Sequence, residues 1–335
     1  MNLSIFNFKI NRSLKVILYF IFSFFLINLF IYLLPEDYYA DLFRDGISYK
    51  NDKPNANYYV KDVKVVAFGD SKATHASKYF FSEPTLSLAA PNNTIIFSKF
   101  IFDKLKINPL FKPKFVILYL GPNNFNQNGI FTKRDYAIRK LATFPQLFEM
   151  AKMNDGFGYA FDGLISKLIP LYGRRIEIRH PTNLWKLINK DSKKPFKMPG
   201  MRNIGYVSKQ LIKRDANKDK NYSLIYERSV YNNYTSSKLH FHYLEKLISD
   251  IVDLGAIPIL IELPIEKQLQ YLRNKLVGNK FNKQLIKIRE KHNFIYIDAI
   301  KSNKYQFLDV NHLSAYGHKK FIKDKINPIF KNNFD

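Results

Sequence analysis

The sequence predicts an α/β protein: a parallel five-stranded sheet with helices on both faces, a helical insertion, and one N-terminal transmembrane helix. Three observations predict it. Apolar runs such as Phe115 to Leu120 are continuous rather than alternating, as strands buried on both faces require. These runs alternate with stretches whose apolar residues recur at helical spacing, the pattern of strands joined by covering helices. Ahead of them, Val16 to Leu34 carries no charge and only Ser23 and Asn28 as polar residues, which is long enough to cross a bilayer.

A soluble helix of that length would need a polar face, and Val16 to Leu34 has none. Lys9, Arg12 and Lys15 precede it and Glu36, Asp37 and Asp41 follow it. Positive charge stays on the cytoplasmic side, so residues 1–15 are expected inside the cell and the rest of the chain outside it. A cleavable signal peptide is the alternative. The apolar run is longer than such peptides use and no small-x-small cleavage site follows closely, so an uncleaved anchor over 16–34 is expected. Residues 35–61 read as a juxtamembrane linker, and 62–335 as one α/β domain.

Within that domain Val63 to Phe68 is the first strand, stopping at Gly69-Asp70-Ser71. Gly69 allows a sharp turn and a close approach of substrate, and Asp70 can cap a helix expected over Lys72 to Phe81. Thr85 to Ala89 reads as a short second strand. Ile96, Phe97, Phe100, Ile101 and Leu105 recur at helical spacing, predicting a helix over Thr94 to Lys106 capped by Thr94 or Asn93. Phe115 to Leu120 is the central strand and ends at Gly121. Residues 126–234 lack strand alternation and read as the insertion, with helical patches over Tyr136 to Met153, Tyr159 to Leu171 and Tyr206 to Arg214. A helix from Lys238 to Leu254 stops at Gly255, a left-handed cap. Strands at Ile257 to Ile261 and Phe294 to Ile297 flank helices through Leu269, Leu272 and Leu276 and over Asn282 to Lys291. The last helix runs from Ser314 towards Lys325.

Composition bounds the chemistry. Lys and Arg outnumber Asp and Glu by 53 to 28, a formal charge of +25 that favours anionic partners. The excess is mostly lysine within a general enrichment in Asn, Ile, Phe and Tyr, which a compositional bias explains at least as well as a binding patch. No nucleic-acid recognition motif accompanies the charge, so nucleic acid is not an expected partner. With no cysteine, disulfides, zinc-thiolate sites and cysteine nucleophiles are excluded. His240 and His242 sit two apart on a helix, a spacing that does not bring them to one face, so neither a metal nor another cofactor is expected.

Serine attacks carbonyls only with a base in hydrogen-bond reach and a third group fixing that base's tautomer. Ser71, at a strand end, is the candidate nucleophile. His312 is the candidate base, and Asp309, three residues before it, can fold back against the imidazole through a short turn. Asn123, where the central strand ends, can donate to an oxyanion together with the Ser71 backbone N–H. Taken singly each reads as a cap or turn former. His75, His240, His242 and His318 are alternative bases, but none follows a carboxylate by three residues in a comparable turn.

On these residues the chain resembles the SGNH, or GDSL, hydrolase family. The first block of that family looks like Gly69-Asp70-Ser71, the third like Gly121-Pro122-Asn123-Asn124, and the fifth like Asp309-Val310-Asn311-His312. The resemblance implies a flavodoxin-like sheet, Ser71 as nucleophile, Asn123 as oxyanion donor, and Asp309 and His312 completing the triad. Two positions depart from the pattern: Asn92 stands where the second block has an oxyanion-donating glycine, and Asn124 where the third block often has Asp. An Asn tolerates left-handed backbone, so the Asn92 N–H is still a candidate donor. An anchored member with its domain outside looks more similar to the branch that includes alginate acetylation proteins and the teichoic acid D-alanylation protein than to free lipases. This implies an acyl-bearing envelope glycan or lipid as substrate and a multispanning O-acyltransferase as a partner, an analogy at fold level only. The expected function is an extracytoplasmic O-acyltransferase or esterase working through an acyl-serine; the alternative is an inactive envelope protein that binds an anionic polymer.

Overall fold

The branched and aromatic residues of Val65–Phe68 (β1) and Phe115–Tyr119 (β3) are wholly buried, so both faces of these strands must be covered. Thr85–Ser87 (β2), Ile257–Glu262 (β4) and Ile295–Asp298 (β5) complete a five-stranded, all-parallel sheet in the order β2-β1-β3-β4-β5. Val65 pairs with Thr85 on one side and Phe115 on the other, and Phe115 pairs in turn with Ile257. In this flavodoxin-like order the chain leaves β1 in one direction and β3 in the other, opening a crevice at their carboxyl ends. The computed structural model describes residues 12–33, 62–73, 76, 78–89, 93–128, 138, 141–173, 224, 231–302 and 304–334.

Successive strand residues face opposite sides of the sheet. Val66, Phe68, Val116, Leu118 and Leu260 meet one group of helices: Ile95–Lys106 (α2), Phe144–Ala151 (α3), Phe157–Leu168 (α4), Lys238–Asp253 (α6) and Asn279–Arg289 (α8). Val65, Ala67, Phe115, Ile117, Ile259 and Ile261 meet the C-terminal helices Ala315–Phe321 (α9) and Asn327–Phe334 (α10) with the π-helical turn between them. Phe330 of that layer lies 4.8 Å from the Phe115 ring. The short Pro170–Gly173 helix (α5) follows α4, and Lys267–Arg273 (α7) joins α8 through a π-helical turn over Asn274–Gly278.

Ahead of the sheet, the helix Arg12–Leu33 (α1) is long and apolar enough to span a membrane, with a mean hydropathy of 2.5 over its most apolar 18 residues. Most of it is exposed; Asn28 and Ile31 are buried.

Several local expectations shift. The helix expected over Lys72 to Phe81 is not formed: the described residues there make two 3₁₀ turns, Ser71–Ala73 and Lys78–Phe80. The stretch has no helical stripe, and both ends of the first turn are tied into polar contacts rather than into a helix ladder. Thr94 caps α2 by accepting from the Phe97 N–H, and Gly255 takes φ +78° after α6, both as the sequence indicates. Within the patch over Tyr136 to Met153 the described residues include α3, whose Thr143–Gln146 capping box fixes its start. Tyr206 to Arg214 lies outside the described residues. The helix predicted through Leu276 and the last helix each contain a π-helical turn.

Candidate active site

The crevice between β1 and β3 collects three chain segments. The first is the turn after β1. A Cβ on Gly69 would lie 2.7 Å from Ala73 Cβ and 2.8 Å from Tyr119 Cβ, so only glycine lets this turn press against β3. Asp70 Oδ1 accepts from the Lys72 N–H at 2.9 Å, which holds the 3₁₀ turn that presents Ser71. Gly69→Ala is expected to cost about 1–3 kcal/mol, the range for overpacking, and to displace Ser71; urea unfolding and the rate of serine labelling check it together.

The second segment is the loop after β3. Asn124 Oδ1 accepts from the Gly121 N–H at 2.9 Å and the Asn124 N–H donates to the Gly121 carbonyl at 2.9 Å, closing the Pro122–Phe125 turn. Asn123 and Asn124 both donate through their amides to Asp70 Oδ2, at 3.0 and 3.2 Å. Asp70 therefore does more than cap: it clamps the loop after β3 to the turn after β1. Lys72 Nζ in turn donates to Asn123 Oδ1 at 3.1 Å. With its oxygen on an ammonium and one N–H on a carboxylate, the Asn123 amide has a single rotational setting. A Cβ on Gly121 would meet Asn123 Oδ1 at 2.8 Å and Lys72 Nζ at 3.1 Å, so this glycine clears the space for that contact.

Lys72 is a participant the sequence reading missed. It is buried, and burial pulls its ammonium below the usual lysine range, against the attraction of Asp70, Glu262 and Asp309. Glu262, at the end of β4, makes a two-point contact with Arg273 of α7 at 3.1 and 2.7 Å, and Arg273 Nη2 also reaches Asn282 at 3.0 Å. Nothing in a residue list marks a lysine next to a serine as buried; only the folded arrangement of carboxylates around it does.

The third segment is the Asp309–His312 turn. Asp309 Oδ1 accepts from the Asn311 and His312 N–H groups at 2.8 and 2.9 Å, and both carboxylate oxygens lie 2.9 Å from His312 Nδ1. The Leu308 N–H bonds back to the His312 carbonyl at 2.7 Å, and the Glu266 N–H donates to the Val310 carbonyl, which ties the turn to the β4–α7 connection. A carboxylate accepts, so Nδ1 carries the imidazole proton and Nε2 faces Ser71 Oγ with its lone pair, 3.0 Å away.

Burial pushes the Asp309 carboxyl up. The hydrogen bond and charge of His312, with the two backbone N–H groups, outweigh that and hold it below the ordinary carboxylate range. A depressed folded value means stability that is present above the unfolded value, about 4, and is lost as pH falls through the folded one. Asp309→Asn is therefore expected to lower the urea midpoint at neutral pH, with the deficit shrinking towards about pH 2. A deficit equal at both pH values contradicts it.

The other histidines weighed as bases have partners of their own or lie outside the described residues. His318 of α9 is buried and its Nε2 bonds the Lys72 carbonyl at 2.8 Å, so it braces the serine-bearing turn rather than facing Ser71. His240 is buried, with Nδ1 2.7 Å from Ser237 Oγ; burial pushes it down to about 4, against the pull of Asp155. His242 pairs with Glu149 at 2.8 Å. Among the described residues no cluster of His, Asp and Glu is built to hold a metal ion. His75 and Asn92 lie outside the described residues, so the second oxyanion position expected there carries no geometry. In sum, Ser71, Asp309 and His312 form one continuous hydrogen-bonded chain. Asn123 is held beside that chain through Asp70 and Lys72.

Compared with known proteins, the chain matches no protein-family model, and no curated protein matches it.

Proposed function

We propose that this chain is a serine-dependent esterase or O-acyltransferase of the SGNH type, acting outside the cytoplasm on acyl groups of an envelope glycan or lipid, and held at the membrane by α1. The observation that carries this reading is the 3.0 Å contact between Ser71 Oγ and Nε2 of His312, whose other nitrogen lies against the Asp309 carboxylate. A chance cap or turn would satisfy the imidazole at Nδ1 and leave Nε2 aimed anywhere. Here it is aimed at a hydroxyl from a segment far away in the chain.

In the reaction, Ser71 Oγ attacks the acyl carbonyl carbon as its proton passes to His312 Nε2. The oxygen that gains charge is stabilised by the second N–H of the Asn123 amide and the backbone N–H of Ser71. Collapse of the tetrahedral species breaks the ester bond, and His312 returns its proton to the departing alcohol. Water or a sugar hydroxyl then gives its proton to His312 while its oxygen attacks the acyl-serine. The products are a free acid or a new ester, with Ser71 regenerated. Asp309 stays ionised throughout, which suits its depressed titration.

Lys9, Arg12 and Lys15 before the apolar run and Glu36, Asp37 and Asp41 after it support a cytoplasmic N-terminus with the sheet outside. The direct test uses p-nitrophenyl acetate with the full chain in lipid vesicles. A burst of p-nitrophenol stoichiometric with enzyme, absent from Ser71→Ala, is expected. A release rate indistinguishable between the two proteins contradicts the reading.

A further inference from the structure

The helices α3 and α4 bury one face and leave another bare. Leu147 and Met150 of α3, and Ala160, Gly163 and Ser166 of α4, turn inward. Gly163 lets the helices close on each other, since a Cβ there would lie 2.5 Å from a Leu147 methyl. On the outer side Phe144 and Phe148 are spaced i, i+4 along α3, and Phe157 and Phe161 are spaced i, i+4 along α4, with Leu168 two turns further on. These five are 49%, 66%, 63%, 56% and 63% exposed. Clustered aromatic exposure of this kind marks an interaction surface rather than ordinary surface composition.

What covers it is indicated by α1. Asn28 Oδ1 accepts the backbone N–H of Leu171 in α5 at 3.0 Å, while its Nδ2 donates to the Phe24 carbonyl at 2.9 Å. A polar residue inside a membrane span faces protein, not lipid, and here the protein it faces is the short helix continuing directly from α4. Asn28 lies five positions before Leu33, the end of the apolar helix, so the α5 contact sits roughly 8 Å inside that end at 1.5 Å per residue. This is the depth, about 5–10 Å, at which the apolar face of an interfacial helix rests. Phe and Leu are residues that such a helix buries there. The bare face of α3 and α4 is thus continuous with the membrane-spanning segment through α5.

We infer that the exposed aromatic face of α3 and α4 lies in the headgroup region of the bilayer that α1 crosses, so that the domain is seated on the membrane rather than swinging from a tether. This rests on α1 spanning the membrane and is independent of the chemistry at Ser71. A seated domain meets substrates that arrive along the membrane surface.

The absence of cysteine makes single-cysteine nitroxide labelling clean. In full-length protein reconstituted into vesicles of phosphatidylcholine and phosphatidylglycerol, labels at Phe148→Cys and Phe161→Cys are compared with Phe20→Cys in α1 and Lys331→Cys, exposed on the opposite side of the sheet. Each is relaxed by oxygen, which concentrates in lipid, and by a water-soluble nickel complex. The expected result is an oxygen-to-nickel ratio at 148 and 161 raised several-fold over that at 331 and approaching that at 20. If 148 and 161 match 331 while 20 reads as lipid, the seating is overturned although the anchor holds. If they are shielded from both reagents, protein rather than lipid covers the face, and the inference is overturned as well. If 20 itself reads as aqueous, α1 does not span and the inference falls with that premise.

Discussion

Ser71→Ala is expected to lose all reaction with a serine-directed fluorophosphonate, and His312→Ala to slow that reaction by roughly 10²–10⁴-fold, the usual contribution of a positioned general base. In the proposed mechanism the two residues act through one proton, passed across the 3.0 Å contact. Their effects are therefore non-additive: once His312 is gone, altering Asp309 as well costs little more, because its task is to orient an imidazole no longer present. Asp309→Asn alone tests the tautomer argument. An amide at that position can present an N–H to Nδ1 and leave the imidazole proton on Nε2, where it cannot accept from Ser71. Labelling kinetics on the four proteins, each checked for folding by circular dichroism, decides the matter. A His312→Ala rate within a fewfold of wild type contradicts the assignment.

The second large effect is expected at Asn123. Removing one side-chain oxyanion donor costs about 10²–10³-fold in rate where such a donor operates, and Asn123→Ala is expected to fall in that range. The substitution also strips Lys72 Nζ and Asp70 Oδ2 of a partner, so a stability loss of about 1–3 kcal/mol accompanies it. Asn124→Ala separates the two contributions. It removes another amide bonded to Asp70 and frees the Gly121 N–H, yet leaves the Asn123 amide in place. It is expected to destabilise the protein with a much smaller loss of rate. Equal rate losses in the two variants, measured beside urea unfolding, contradict a donor role for Asn123.

The parts of this arrangement that the sequence discloses are those set by near neighbours. Unbroken runs at Val63 to Phe68 and Phe115 to Leu120 disclose central parallel strands, because a strand covered on both faces has no polar side to show. Thr94 and Gly255 disclose the ends of α2 and α6 through capping chemistry that involves only a few residues. The Asp309–His312 contact is legible because one turn of chain makes it. The parts that stay hidden depend on distant partners. The sequence predicts a helix after Ser71 because Asp70 can cap one. In the fold Asp70 also holds Asn123 and Asn124 from the loop after β3, and His318 from α9 holds the Lys72 carbonyl. The π-helical turns in the helices after β4 and β5 each add one residue to a turn, a change too small to disturb a run of apolar spacings. Lys72 is the clearest case. Lysine is ordinarily solvated, and its burial beside Asn123 follows from carboxylates supplied by β4 and the Asp309 turn.

The apolar helix α1 meets α5 through Asn28, a residue that stands out in the sequence as one of two polar positions in the apolar run. Its amide oxygen accepts the Leu171 N–H, which gives this polar side chain a partner in the folded chain.

The most direct measurement is the site of covalent modification. Full-length protein is treated with a fluorophosphonate, digested, and the adduct mapped by mass spectrometry. A single adduct on Ser71, absent from the unfolded protein and from Ser71→Ala, is the expected result. Folded protein that takes up no adduct, or takes it up on another residue with Ser71 unmodified, contradicts the assignment of Ser71, His312 and Asp309 as a working triad.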